Sequence, residues 1–361
     1  MKKNISAFLS AAAVITYAVL LIVFYREVSA GIISSVNVCL NVIIPSLYAF
    51  SVISGFLISS GLYRILSLPF RPISKYIFRL PCDVFSVFLI STFAGYPIGA
   101  KMIGELYSQK RIDRSAAERM LGVCYMGGPA FFCGTAGMHI YSSVKTGMLI
   151  FLCILLANIT AAFFSGIRLP IPHDTAEKTP LKLSADGFLS SVYAGGTALL
   201  KICASVIIFS TFISIADASG ILLNAASVLS KVTALPLDAR ICIIRSVSEI
   251  TGIVDMPPDP QLIPVTAALL SFGGLCVIMQ TSGFIPKGLS TYNFYLSRIS
   301  VTFMSYLYCK ILMYIVGADA FLPVMSAGRI YRHNSPIPSI FLLIMTILLL
   351  SNNFIAKSEK I

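Results

Sequence analysis

The sequence predicts an all-α polytopic membrane protein made of two inverted-topology repeats, with about 8 full spans and 2 re-entrant half-helices, each full span needing ~20 apolar residues. Three observations carry this. The first is composition. The 361 residues are 57% hydrophobic and 12% charged, with mean hydropathy +0.87, too few charges to cover a soluble body of this length. The second is an internal repeat. The stretch LISSGLYRIL…LPCDVFSVFLISTFAGYPIGAK returns in altered form as IADASGILLN…LPLDARICIIRSVSEITGIVDM, 155–159 positions later. Gly61 answers to Gly220, Leu80-Pro81 to Leu235-Pro236, Ser91 to Ser248 and Gly95 to Gly252. Downstream, Gly128 and Gly137 are nine apart, and so are Gly274 and Gly283. A fixed-period repeat in so apolar a chain marks a membrane protein of two halves, with polar chemistry expected at the breaks. The third is where the basic residues fall, taken up below.

The net charge of +12 is expected from Lys and Arg kept in cytoplasmic loops beside an anionic leaflet, not from a nucleic-acid partner. The nine cysteines are scattered singly, without C-x-x-C, and His139, His173 and His333 stand far apart. They are expected to pack as small hydrophobes, so no metal and no cofactor are expected. With no Trp, Tyr and the basic residues are left to anchor the interfaces.

Residues 1–29 are expected to form an N-terminal transmembrane helix. Met1-Lys2-Lys3 and the apolar run to Phe24 have the outline of a secretory signal, and Val28-Ser29-Ala30 would suit cleavage. The run is nevertheless long enough to span, so a retained helix is expected. The first repeat, 30–167, is expected to hold full spans at 32–58, 120–141 and 147–167. Between them, 62–80 mixes Arg64, Arg71, Lys75 and Arg79 with Leu, Ile and Phe, which suits a helix in the headgroup plane. Residues 83–94 are apolar over too short a length to cross ~30 Å of hydrocarbon, so they are expected to enter and turn back. The charged hairpin 101–119 follows, with Ser115-Ala-Ala-Glu118 as a capping box opening the next helix.

The segment 168–187 carries several prolines and mixed charges and is expected to be a cytoplasmic linker, with His173 a solvated loop residue. The second repeat, 188–316, is expected to hold spans at 190–216, 261–285 and 293–316 and the matching half-helix at 239–250. A C-terminal loop and span (338–356) complete 317–361. One threading puts most of the Lys and Arg, including Lys110, Arg111, Arg114 and Arg119, in the cytoplasm with the amino terminus. It leaves Arg26, Lys145, Lys231, Arg329 and Arg332 outside. In that threading 32–58 runs inward and 190–216 outward, which makes the repeats inverted. The expected location is the cell membrane, multi-pass.

Candidate chemistry sits at the paired breaks. In the first, Thr92, Gly95, Pro97, Gly99 and Lys101 end a half-helix and open backbone groups to water or a ligand, or else form a tight re-entrant turn with Lys101 snorkelling. In the second, Glu249, Thr251 and Gly252 stand at the corresponding place, Glu249 where the first copy has Thr92. A carboxylate at membrane depth is costly unless paired, protonated or wet. Arg245, four residues earlier, offers a structural partner; a solute- or proton-binding role is the alternative. Downstream, Gly127, Gly128, Pro129 and Gly137 pair with Gly273, Gly274 and Gly283 as hinge or close-packing positions. Gln280, Thr281 and Ser282 offer either a polar lining or interhelical bonds. No G-x-x-x-x-G-K-[ST], H-E-x-x-H or catalytic carboxylate pair is present, so no enzymatic activity is expected.

GYPIGAK, ELYSQKRIDRSAAERMLGVC and GGPAFFCGTAG, with SEITG and FGGLCVIMQ in the second half, resemble the sporulation integral membrane protein YlbJ family. That group is similar to proteins with the nucleoside-recognition "Gate" domain. The resemblance covers about residues 30–315 and implies a polytopic protein of an endospore former, concerned with spore cortex formation and recognition of a small molecule. It departs at Cys124-Tyr125-Met126, where the family tends to place polar residues before its Gly-Pro. Two functions follow as expectations. One is a transporter-like protein binding a small polar, nucleoside-like solute. The other is a non-transporting scaffold recruiting a sporulation membrane partner through hairpin 101–119.

Overall fold

The computed structural model describes residues 2–167, 181 and 183–317. The expected span at 338–356 and most of linker 168–187, with His173 and His333, lie outside the described residues.

All regular structure among the described residues is helical. Helix α1 (Lys2–Val23) is followed after one residue by α2 (Tyr25–Val38), which passes through a π-helical turn at Cys39–Ile43 into α3 (Ile44–Ser60). The boundary between the first two spans is therefore a sharp turn at Phe24, where the sequence suggests a longer loop up to residue 31. Gly61, with φ 79°, ends α3, because a left-handed terminus costs glycine no Cβ clash. Short pieces follow: α4 (Tyr63–Ser67), a 3-10 turn and a π-helical turn at Ile73–Phe78. Next come α5 (Cys82–Ala94), α6 (Ile98–Ser108) and α7 (Arg114–Val123). A stretch without helix leads to α8 (Pro129–Phe131), which continues as a π-helix over Phe132–Ile140, and then to α9 (Val144–Gly166). The second half has α10 (Ala185–Ala218), α11 (Ile221–Leu229), α12 (Leu237–Ser248), α13 (Ile263–Phe272), α14 (Gly274–Ser282) and α15 (Tyr292–Val316).

Five helical runs among the described residues are long and apolar enough to cross a membrane: Tyr25–Ser60, Val144–Gly166, Ala185–Ala218, Pro260–Ser282 and Tyr292–Val316. Phe8–Val23 and Val84–Ala94 are shorter apolar helices. Large apolar side chains such as Leu200, Ile299, Phe303 and Tyr314 face outward, as lipid solvent requires and water would penalise.

The long helix α10 runs antiparallel along α2 and α3. The Ser210 hydroxyl donates to the Gly31 carbonyl (3.0 Å), and Phe188 meets Phe56 edge-on at 5.5 Å between centroids. Helix α1 folds back onto the far end of α10, with Tyr17 stacked on Phe212 at 4.5 Å. A second layer packs α13 against α9 and α15, and α7 against α15.

Two expectations need correction here. Residues 120–141 are not one continuous span: α7 stops at Val123 and the backbone is non-helical through Gly128. Pro129 cannot continue the amide ladder, and Gly128 must approach the end of α5 so closely that a Cβ would lie 2.7 Å from the Phe93 carbonyl oxygen. The capping box at Ser115 does not form either. The N-cap is Asp113, whose carboxylate accepts from the Ala116 amide at 2.9 Å, and Glu118 is engaged elsewhere.

Candidate functional site

The sequence ends α12 at Ser248 and leaves Glu249 in an extended conformation before a 3-10 turn, Ile250–Asp255. Glu249 N-caps that turn. Its Oε2 accepts from the Thr251 amide at 3.0 Å and from the Thr251 hydroxyl. Its side chain is 4% exposed, and Oε1 has no hydrogen-bond partner. A buried, half-satisfied carboxylate is costly, so the free oxygen marks a place where a donor belongs.

That oxygen belongs to a residue lining a cavity of about 40 Å³ between the two halves. Ser46, Tyr96, Gly127 and Phe131 come from the first half; Ile202, Glu249, Thr251 and Gln280 come from the second. Gln280 donates to the Ile202 carbonyl at 3.4 Å and to Cys276 Sγ at 3.2 Å, while its own Oε1 is buried and unpartnered. Two unsatisfied acceptors thus sit on residues lining one small chamber. At ~10–15 Å³ per enclosed water, the chamber as shaped holds a few waters or the end group of a solute.

Close backbone approaches fix the chamber. Gly128 lies against Phe93 and Gly95 at the end of α5. In the second half Gly274 plays the same part: a Cβ there would lie 2.9 Å from the Ile250 amide nitrogen and 3.0 Å from the Ser246 carbonyl oxygen. The second glycine of each Gly-Gly pair therefore seats one broken helix on the other break of its own repeat. Side chains exchanged between the halves cap the broken ends. Tyr125 donates to the Phe272 carbonyl at 3.1 Å and Tyr96 donates to that of Leu270, both at the end of α13. In return, Arg298 on α15 donates to the carbonyls of Gly122 and, at 2.9 Å, Tyr125, at the end of α7. Its guanidinium lies 4.5 Å from the Tyr125 ring centroid.

Of the residues singled out from sequence, Glu249, Thr251, Gln280 and Gly127 line the chamber. The rest do not. Thr92 bonds back to the Phe88 carbonyl (2.9 Å) and Thr281 to that of Val277 (2.8 Å), so their hydroxyls serve their own helices, while Ser282 bonds back to Ile278 (2.9 Å) and also meets the Tyr295 hydroxyl on α15 at 3.3 Å, an interhelical bond. Gly95, with φ 81°, closes α5. Gly99 lets α6 pass Cys124, where a Cβ would lie 2.1 Å from the carbonyl oxygen. Gly252 donates its amide to the Glu249 carbonyl at 3.1 Å. Pro97 and Lys101 border a separate, nearly filled crevice beside Phe284, and Lys101 lies 3.9 Å from Glu105. Gly137, Gly273 and Gly283 serve packing and helix ends, Gly137 against Gly147 and Gly273 (φ 82°) against Tyr125. The Arg245–Glu249 pair is overturned. Arg245 instead binds Asp217 at 2.6 Å and Asp255 at 3.4 Å, because α12 ends before Glu249 and the extended backbone turns that side chain away.

Sequence reasoning missed Ser46, Tyr96, Tyr125 and Arg298. Arg298 carried the clearest signal, one of two cations in the apolar span Tyr292–Val316. Among the described residues no group of three His, Cys, Asp or Glu is placed to hold a metal.

Against known proteins, the chain is 25% identical over 283 residues to the sporulation integral membrane protein YlbJ of Bacillus subtilis (strain 168), an alignment covering 68% of each chain. The chain is a homologue of YlbJ. No family profile matches it, and no solved structure does. With the five long apolar helices, the likeness to YlbJ supports a multi-pass membrane protein.

Proposed function

We propose that this protein binds a small polar solute where its two breaks meet and moves it across the cytoplasmic membrane during sporulation. In this reading it is a transporter-like, nucleoside-recognition (Gate)-type protein needed for spore cortex formation. The observation that carries it is the Glu249 Oε1, buried and unpartnered on a chamber shared by both halves, with the free Gln280 Oε1 on the same chamber. Two-repeat transporters place their sites at such junctions, where unwound backbone is tolerated because it lines a cavity. The pairing of elements supports an inverted relation between the halves: α5 matches α12, α7 matches α13 and α9 matches α15, while α7 packs on α15 and α13 on α9. Sporulation comes from the relative, YlbJ being a sporulation integral membrane protein.

The test is thermal stabilisation of the purified protein by a panel of nucleosides, sugars and amino acids, since a ligand of the native state raises its melting temperature by mass action. A solute that stabilises the natural protein but not Glu249→Gln, with the unliganded melting temperature kept, is the expected result. Loss of sporulation on reversing Lys110, Arg111 and Arg114 to Glu, while Glu249→Gln sporulates normally, would sink the solute site and favour a docking hairpin.

A further inference from the structure

A wide groove of about 600 Å³ lies next to the chamber and shares two of its walls, Ser46 and Phe131. Its size falls within the ~300–1,000 Å³ usual for small-molecule sites, whereas the chamber is far below it. The polar side chains on the groove are amides, hydroxyls and one imidazole: Ser34, Asn37, Asn41 and Ser46 on one wall, Thr135 and His139 on the other. No Asp, Glu, Lys or Arg lines it. Asn37 and Asn41 are exposed although they lie within a membrane-length apolar run, where amides facing hydrocarbon would be costly.

Both walls leave regular α-helix at the groove. On one, Cys39–Ile43 is π-helical and carries Asn41; on the other, Phe132–Ile140 is π-helical and carries Thr135 and His139. A π-helical insertion is rare, weakens the local ladder and concentrates at functional sites. Two of them facing one cavity call for a functional reason that packing alone does not supply. Between them Gly134 faces open space, with no atom within 4 Å of where its Cβ would be.

We infer that this groove is an outer binding site for an uncharged solute rich in both hydrogen-bond donors and acceptors, of monosaccharide to nucleoside size, with Phe131 and Ser46 separating it from the inner chamber. Amides offer both donors and acceptors, hydroxyls do the same, and a lining without Asp, Glu, Lys or Arg offers an ionic solute no carboxylate, ammonium or guanidinium partner. Phe131, 8% exposed, presents the apolar surface on which a ring can lie. The inference deepens the transport reading and rests on it for what happens after binding, but the binding step can be tested alone.

The experiment uses the full chain in lipid nanodiscs with single cysteines introduced as Asn41→Cys or Gly134→Cys, the unsubstituted protein giving the background from its own thiols. A water-soluble, membrane-impermeant thiol reagent is expected to label both positions quickly. Adenosine, uridine or glucose is expected to slow labelling several-fold, and AMP or glucose 6-phosphate to leave it unchanged. Gly134→Leu, which fills the groove without meeting another atom at Cβ, is expected to abolish protection of Asn41→Cys while keeping the unliganded melting temperature. Absence of labelling would show the groove filled by lipid or by the chain itself and overturn the site, as would labelling that no neutral probe slows or that the charged probes slow equally. Failure of the transport reading looks different: the neutral probes would still protect Asn41→Cys, yet none of them would be carried into proteoliposomes holding the natural protein.

Discussion

At the scale of single residues, Arg298 and Glu249, both buried, are used differently. Arg298 is 1% exposed, and its Nη1 and Nη2 donate to carbonyls at and just past the end of α7, which the unwound stretch would otherwise leave facing an apolar interior. A cation at a helix C-terminus also opposes the negative end of the dipole. Arg298→Leu is expected to destabilise the protein by roughly 2–4 kcal/mol, because unpaired buried carbonyls cost more than the relief of burying no charge returns. Arg298→Lys should fall between, since an ammonium lacks the planar fork that reaches two carbonyls at once. Equilibrium unfolding in detergent measures both, and an unchanged Arg298→Leu would remove the capping role. Glu249, by contrast, spends one oxygen on its own turn and leaves the other free. A carboxylate at the second break was legible in the sequence because it is out of place in so apolar a run. Its partner was not legible: four-residue spacing joins Arg245 to Glu249 only if the helix continues, and Asp217 from the end of α10 is invisible to local reasoning.

At the scale of elements, the two short helices α5 and α12 were the most readable part. Apolar runs too short to span, bounded by Leu-Pro before and Gly or polar residues after, give α5 and α12 almost at the expected ends. The unwinding after Val123 was only half legible. Gly127-Gly128-Pro129 signals a kink, but how far the chain unwinds depends on the backbone of α5 pressing on Gly128, a contact 35 residues away in sequence (128 − 93). The hairpin offers a pH test. Glu118 accepts from Arg114 Nε at 2.7 Å and from the Ser290 amide at 2.8 Å, tying α7 to the loop before α15. These bonds hold its carboxyl below the ordinary 4.5, the Arg114 hydrogen bond first. A folded value below the unfolded one makes the contact stabilising above about 4.5, and the stabilisation fades as pH falls through the lowered folded value. Melting temperature is therefore expected to drop between mildly and strongly acidic pH in the natural protein, and to drop less in Glu118→Gln. The effect should be small, since the hairpin meets water and its ion pair is screened. Equal slopes for the two proteins would show that the tie contributes nothing.

At the scale of the whole molecule, the repeat organises what neither residues nor elements explain alone. Tyr96 and Tyr125 of the first half cap α13 of the second, and Arg298 of the second caps α7 of the first, so neither half satisfies its broken helix without the other. The exchange is uneven: tyrosines in one direction, a guanidinium in the other, with Glu249 where the first copy has Thr92. A path built on this frame would be asymmetric, with the buried Glu249 carboxylate in the second half. Duplication is read in the sequence from paired glycines, and inversion is the expectation set by the placement of Lys and Arg, which makes it directly testable. If the halves are inverted with the amino terminus inside, the exposed tip of the hairpin at Lys110 faces the cytoplasm, and Lys231, exposed after α11, faces outward. In intact cells an impermeant thiol reagent is then expected to label Lys231→Cys and to spare Lys110→Cys until the membrane is opened. Labelling of Lys110→Cys alone would turn the molecule over while keeping the inversion. Equal labelling of both would place Lys110 and Lys231 on one face and end the inverted reading, and with it the reason for expecting the two breaks to converge from opposite sides on one solute.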